Sequence, residues 1–195
     1  HFALPGAWIL WIPGLVLLLL GFYRNRVYQH SFVVDLGLTS MGWLYLTMPM
    51  ALVLLLSYKT GSHEGLLVLF LISLVWANDT MAYVAGKTAG RHTLAPGVSP
   101  GKTWEGTFGG LLASAGGAAI WVQLDGINLM TGQAVISGLL IGAGAVVGDL
   151  FQSALKRSAG WEDSGQLIPG HGGVLDRFDG LLVSVPLCFP VLYLW

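Results

Sequence analysis

GDLFQSALKRSAGWEDSGQLIPGHGGVLDRFD, residues 148–179, is where a long apolar run ends and most of the chain's polar chemistry begins. It holds Asp149, Lys156, Arg157, Glu162, Asp163, Asp176, Arg177 and Asp179, eight of only nineteen charged residues (nine basic, ten acidic), together with His171. Outside it the chain is overwhelmingly apolar. Of the 195 residues 54% are hydrophobic and 10% charged, where a soluble domain carries roughly 25% charged residues. Most of this surface is therefore expected to face lipid. The net charge of -1 and the absence of a basic run interleaved with aromatics argue against a nucleic-acid partner. The single cysteine, Cys188, excludes an internal disulfide and a multi-cysteine metal site, and its apolar surroundings read as burial.

Working outward, runs long enough to cross about 30 Å of hydrocarbon, which takes about 20 residues, recur at 5–23, 34–58, 66–85, 107–124, 133–151 and 181–195. The expected fold is all-α, a polytopic transmembrane bundle of about six spans. The first run has no charged region before it and reads as a span rather than a signal peptide; Pro49 is expected to kink the second. The fourth and fifth contain GGLLASAGG and GLLIGAGAVVG, whose small residues let helix backbones approach closely, which puts these helices inside the bundle.

If all six runs cross, the connections 24–33, 86–106 and 152–180 share one face and carry Arg24, Arg26, Lys87, Arg91, Lys102, Lys156, Arg157 and Arg177; the opposite face carries only Lys59. Positive charge collects on the cytoplasmic side, so the two long polar loops are expected to be cytoplasmic.

Two carboxylates lie where a membrane segment should exclude them: Asp79 in ANDTMAY and Asp149 in VVGDLFQ. A carboxylate there costs about 2.5–3.5 kcal/mol on insertion scales and is usually paired or functional. Asp176 and Asp179, three apart in LDRFD, would share a face if helical. With Asp149 they form an all-oxygen set that suits Mg²⁺ rather than zinc. PGHGG, residues 169–173, brings backbone N–H groups able to cradle anionic oxygens, with Lys156 and Arg157 just before it. His171 reads as a hydrogen-bonding or phosphate-contacting residue rather than a metal ligand. VSPGKTWEG, residues 98–106, adds a Pro-Gly turn with Ser99, Lys102 and Thr103 but lacks Walker spacing. A phosphate-rich ligand held by Lys102, Lys156 and Arg157, with Mg²⁺ on the aspartates, accounts for both loops at once.

Ser153, Lys156, Arg157, Asp163, Pro169, His171, Gly172, Gly173, Asp176, Arg177 and Asp179 closely resemble the signature of the phosphatidate cytidylyltransferases, the CDP-diacylglycerol synthases. SPGKTWEG and Trp76, Asp79, Ala82 and Tyr83 also look like features of that family. The resemblance covers about 120 residues, from the third run to the end of the chain. It implies transfer of CMP from CTP to phosphatidate, giving CDP-diacylglycerol and pyrophosphate with one or two Mg²⁺ ions, and leaves room for a second cation. On this reading Asp149, Lys156, Arg157, Asp176 and Asp179 are catalytic, with Asp149 and Asp176 as principal metal ligands and Asp179 assisting. Asp79, Tyr83, Ser99, Lys102, Thr103, Ser153, Asp163, His171, Gly172, Gly173 and Arg177 bind substrate. Residues 1–65 are then N-terminal membrane helices, with further helices expected upstream, and 66–195 the catalytic domain with loops 86–106 and 152–180. An integral protein of a bacterial inner membrane is expected; a homodimer is a candidate assembly for which the sequence identifies no interface. One position departs from the pattern: Glu162 stands where the family usually has lysine.

Two rivals fit less well. The CDP-alcohol phosphotransferases space their aspartates by four, whereas here the spacing is three, and their Asp-Gly-x-x-Ala-Arg element is absent. A secondary transporter coupling through Asp79 and Asp149 predicts an internal repeat, which the chain lacks, and leaves the loop lysines and glycines unexplained.

Overall fold

The computed structural model describes residues 14–16, 19–23, 32–60, 64–124, 129–161, 173 and 175–194. Nearly all of these are helical. After helical residues at 14–16 and 19–23 come α1 (Phe32–Thr60), α2 (Glu64–Ala89), a hairpin of β1 (Thr93–Ala95) and β2 (Ser99–Thr103), α3 (Trp104–Val122), α4 (Thr131–Ser158), a 3-10 turn (Leu175–Arg177) and α5 (Asp179–Leu194). Among the described residues three helices, Val33–Ser57, Gly65–Ala89 and Thr131–Ser158, are long and apolar enough to cross a membrane. The chain is an integral membrane protein. The runs expected at 107–124 and 181–195 appear as shorter helices of 19 and 16 residues.

Two compact units divide the chain, His1–Ala51 and Leu52–Trp195. In the first, α1 continues through Pro49 without interruption, and Gly14 lies against Trp43, where an added Cβ would meet the indole at 3.0 Å. In the second, α2 packs on α3, α3 on α4 and α4 on α5, and α2 closes back on α4 and α5. Leu67, Phe70, Leu71, Leu74, Ile141, Val185 and Cys188 fill the interior. The lone cysteine is thus buried as its setting suggested.

The small-residue runs do occupy helix interfaces. Gly106, Gly110, Ser114 and Ala118 form the buried stripe of α3, and Gly138, Gly142, Gly144, Ala145 and Gly148 are buried on α4. A Cβ at Gly138 would lie 2.9 Å from Ala115 Cα, and one at Gly144 2.7 Å from the Ser184 nitrogen. Backbones this close leave no room for a larger side chain.

Two local features depart from the sequence reading, and both shape the site. The connection 86–106 contains a hairpin: Thr93 pairs with Thr103 and Ala95 with Ser99, so three residues of β2, Pro100, Gly101 and Lys102, oppose the single Leu94. Pro100 has no N–H to give the ladder, and proline within a sheet is confined to edges and bulges. Helix α4 also runs past the expected end at residue 151 to Ser158. It stops at Gly160, whose φ is +70°, with Gly160 N–H bonded to Arg157 O at 3.2 Å and Trp161 N–H to Lys156 O at 2.9 Å. These are the two hydrogen bonds of a Schellman ending, in which glycine takes the left-handed conformation. Hydropathy falls after Phe151 while helix propensity does not, so the helix leaves the apolar stretch before it ends.

Candidate active site

The continuation of α4 decides which polar residues meet. Asp149, Gln152, Ser153 and Lys156 stand at helical spacings of three and four and share one face. Beyond one end of this face lies a cavity of about 510 Å³, lined by Asn78, Asp79, Tyr83 and Lys87 of α2, Lys102 and Thr103 of β2, Gly106 and Thr107 of α3, and Asp149 of α4.

Within it Lys102 Nζ forms an ion pair with Asp149 Oδ2. Ser153 Oγ lies 3.4 Å from Asp149 Oδ1, and Asn78 Nδ2 donates to Asp79 Oδ1 at 3.2 Å. Lys87 Nζ is 3.4 Å from Tyr83 Oη and 5.6 Å from the centre of its ring. Asp79, Asp149 and Asp179 interact electrostatically with one another in part, and Lys102 acts on both Asp79 and Asp179. Asp179 reaches this neighbourhood because Gly148, next to Asp149, has no side chain and lets the start of α5 sit against α4.

A second cluster forms further along the same face of α4. Asp176 Oδ1 accepts from Lys156 Nζ and from Gln152 Nε2, each at 2.8 Å, and Asp176 Oδ2 accepts from Gly173 N–H at 3.1 Å. The two lysine–aspartate pairs differ in environment. The Asp149 side chain is 44% exposed and its Lys102 partner 25%, so the contrast lies in the aspartates, and this half-exposed pair lies nearer the surface value of about 0–1 kcal/mol than the second pair does. Asp176 is 15% exposed and its Lys156 partner 22%; with two further donors on Asp176 this cluster is a fixed one.

Other expected residues fall in different places. Thr103 caps α3, its hydroxyl accepting from Gly106 N–H at 3.1 Å. Ser99 pairs with Ala95 in the hairpin. Arg157 and Arg177 are exposed. Asp163, His171 and Gly172, with Glu162, lie outside the described residues. LDRFD is not one helix: Asp176 sits in the 3-10 turn and Asp179 opens α5. The structure adds Asn78, Lys87 and Gln152. Gln152 was open to detection as the polar residue between Asp149 and Lys156 on one helical face. Asn78 and Lys87 carried no signal beyond adjacency to Asp79 and Tyr83.

The hairpin is pinned to α3 at Glu105. Its Oε1 lies 2.6 Å from His92 Nδ1, and its Oε2 accepts from Arg91 N–H at 3.1 Å and His92 N–H at 3.3 Å. The His92 contact first, then bonds from backbone N–H groups including that of Arg91, hold the Glu105 carboxyl down at about 2. This anchor fixes where β2 presents Lys102.

Among the described residues no three His, Cys, Asp or Glu side chains converge closely enough to hold a metal ion by themselves. Mg²⁺, however, commonly takes one or two protein carboxylates and completes its shell with water and substrate phosphates. Asp149, which lines the cavity together with Lys87 and Lys102, and Asp179, near enough to repel it, fit that mode. Asp176 fits it less well, because its carboxylate already takes three hydrogen bonds.

A cavity that joins the SPGKTWEG segment to Asp149 of the 148–179 segment is the setting in which the chain's relatives can be placed. It belongs to the cytidylyltransferase family, which residues 2–195 match. Among individual proteins it is similar to the phosphatidate cytidylyltransferase of Haemophilus influenzae, 46% identical over 135 residues that cover 66% of this chain and 46% of that protein. It is 45% identical over 138 residues to the uncharacterized protein YnbB of Escherichia coli, covering 69% and 46%. The phosphatidate cytidylyltransferase of Staphylococcus epidermidis is 38% identical over 130 residues, covering 67% and 50%. The matched part spans about half the length of these relatives.

Proposed function

We propose that this chain carries the site of a phosphatidate cytidylyltransferase, which moves CMP from CTP to phosphatidate and releases pyrophosphate. The observation that carries the reading is the Lys102–Asp149 ion pair. It brings two segments, each resembling the family and far apart in sequence, onto one cavity at the ends of apolar helices. Relatives that match this chain bear the same activity in their names.

In the reaction a phosphate oxygen of phosphatidate attacks the α-phosphorus of CTP. A new P–O bond forms as the bond to the β-phosphate oxygen breaks, and pyrophosphate takes the departing negative charge. Such a transfer asks mainly for alignment and charge neutralisation. Lys102 and Lys87, both on the cavity, would bind phosphate oxygens, Lys102 exchanging Asp149 for substrate. Asp79 and Tyr83 line the same space and would orient the reactants. Lys156, held by Asp176 and Gln152, would supply a fixed positive charge along α4. Mg²⁺, when held by Asp149 and Asp179, would neutralise phosphate charge and favour the departure of pyrophosphate. Asp176 then acts by positioning Lys156.

The sidedness follows from the charge asymmetry of the loops. CTP is water-soluble and phosphatidate is not, so a site at the cytoplasmic ends of the helices admits one from each phase. Bacterial relatives and the apolar helices support a bacterial plasma (inner) membrane location.

The test is a mixed-micelle assay of the full-length protein with labelled CTP, phosphatidate and Mg²⁺. Asp149→Asn is expected to lose at least about 10²-fold in kcat, the scale seen when one preorganised electrostatic group is removed. Absence of CDP-lipid from the unaltered protein overturns the reading. Glu162→Lys in the same assay measures the departing position; an unchanged rate and KM make Glu162 a bystander.

A further inference from the structure

Asn78 is an expensive residue to keep where it stands. It lies within α2, one of the helices long and apolar enough to cross the membrane, and is 1% exposed. Its carbonyl Oδ1 is buried without a hydrogen-bond partner, although buried polar atoms almost always find one. A residue kept for packing alone would be apolar here. What Asn78 does make is a bond from Nδ2 to Asp79 Oδ1 at 3.2 Å, and it lines the cavity beside that carboxylate.

The neighbouring helices are shaped around its amide. A Cβ on Gly110 of α3 would lie 2.7 Å from Asn78 Oδ1, and one on Gly142 of α4 would lie 3.0 Å from it. Both distances are shorter than the 3.4 Å at which ordinary contact begins. The oxygen is therefore seated between two glycines, which limits rotation of the amide and directs its nitrogen to Asp79. The orientation is also chemically determined: with oxygen and nitrogen exchanged, two acceptors would face each other.

We propose that Asn78 is a positioning residue that holds the Asp79 carboxylate toward the cavity, with Gly110 and Gly142 providing the slot that orients its amide. The inference rests on the cytidylyltransferase reading, since Asp79 is held for a reaction. Asn78 itself need not touch substrate. It acts through Asp79, so its removal should do what loss of the Asp79 carboxylate does and nothing more.

The experiment is a double-mutant cycle on the full-length protein in phospholipid micelles, using Asn78→Ala, Asp79→Asn and the double variant, with kcat, KM and the melting temperature measured for each. Asn78→Ala is expected to lose about tenfold or more in kcat/KM, divided between kcat and KM as in Asp79→Asn. The double variant should be no slower than Asp79→Asn alone, because coupled residues are non-additive. Melting of Asn78→Ala should match or exceed that of the unaltered protein, since the unpartnered oxygen has gone. Asn78→Ser, which is short and polar, should repeat the loss and guards against an artefact of the alanine. Full activity of Asn78→Ala, additive losses, or a fall in activity that tracks a fall in melting temperature would each overturn the inference while the unaltered protein still makes CDP-lipid. No CDP-lipid from the unaltered protein removes the cytidylyltransferase reading, and the role assigned to Asn78 goes with it.

Discussion

Gly148→Ala adds one methyl group at the point where α4 and α5 come closest to the site. The new Cβ would lie 2.9 Å from the Asp179 carbonyl carbon and 3.1 Å from Gly180 Cα, and it would collide with the Asp179 carbonyl oxygen. Ordinary contact begins at 3.4 Å, so the start of α5 must retreat by at least about 0.5 Å. The obstacle is backbone, which cannot swing aside as a long side chain can. Overpacking of this kind costs about 1–3 kcal/mol, which at about 2–4 °C per kcal/mol lowers the melting temperature by several degrees. The catalytic cost follows from displacement of Asp179 relative to Asp149. A misplacement of about 1 Å can cost about 10²-fold, so a shift of half that size is expected to cost about tenfold in kcat. Gly116→Ala is the control: it lies in α3 with nothing within 4 Å of an added Cβ, and Gly to Ala in a helix is stabilising by about 0.5–1 kcal/mol. CMP transfer and thermal melting in the same micelles read both effects. If Gly148→Ala keeps the full rate and melting temperature, the close approach of α4 and α5 is not what places Asp179.

Three other outcomes are expected. Lys102→Met removes the cation that bridges β2 and α4; it should raise KM for CTP and lower kcat by about 10²-fold with little change in melting, since a half-exposed pair lies near the surface value of about 0–1 kcal/mol. Asp176→Asn leaves Lys156 without its counter-charge in a largely buried cluster and should lower the melting temperature, with Lys156→Met in the same chain restoring part of it; a double variant that melts lower by the sum of the two single losses would show that the pair is not coupled. The Glu105 anchor titrates on the acid side. Its folded-state carboxyl is lowered from 4.5 to about 2, so its contribution is fully present above about pH 4.5 and fades as the pH falls toward 2. Hydrogen exchange at the Arg91 and His92 amides, corrected for intrinsic rates, should show constant protection from pH 8 to pH 5 and loss of it below 4.5. A loss already complete at pH 5 would exclude Glu105 as the anchor.

The bundle class was legible from composition, because a chain this apolar has few ways to satisfy its backbone other than membrane helices. The interior positions of α3 and α4 were legible for a related reason: glycine and alanine at helical spacing make sense only where backbones meet. Asp149 and Asp79 were legible as site residues because carboxylates in an apolar run stand out, Lys102 because a Pro-Gly turn presents it, and Tyr83 through the family resemblance alone. What escaped was everything set by hydrogen bonding rather than hydropathy. The 86–106 segment read as a loop because a short bulged hairpin has too few residues for a period-2 pattern. The fifth apolar run ends at residue 151 because the polar residues after it stop the hydropathy signal, while helix continues to the glycine cap.

Those two misreadings bear directly on the site. The sequence pattern groups Asp149, Asp176 and Asp179 as one carboxylate set, with Asp149 and Asp176 as principal ligands and Asp179 assisting, and nothing in a one-dimensional pattern shows which cation each one meets. The fold separates them by partner: Lys102 arrives at Asp149 from a strand, Lys156 and Gln152 arrive at Asp176 from the extended end of α4, and Asp179 is set beside Gly148 at the start of α5. Local sequence carries hydropathy, helix propensity and the chemistry each residue brings. Which cation neutralises which carboxylate depends on contacts between segments many residues apart, and those are settled only when the helices pack.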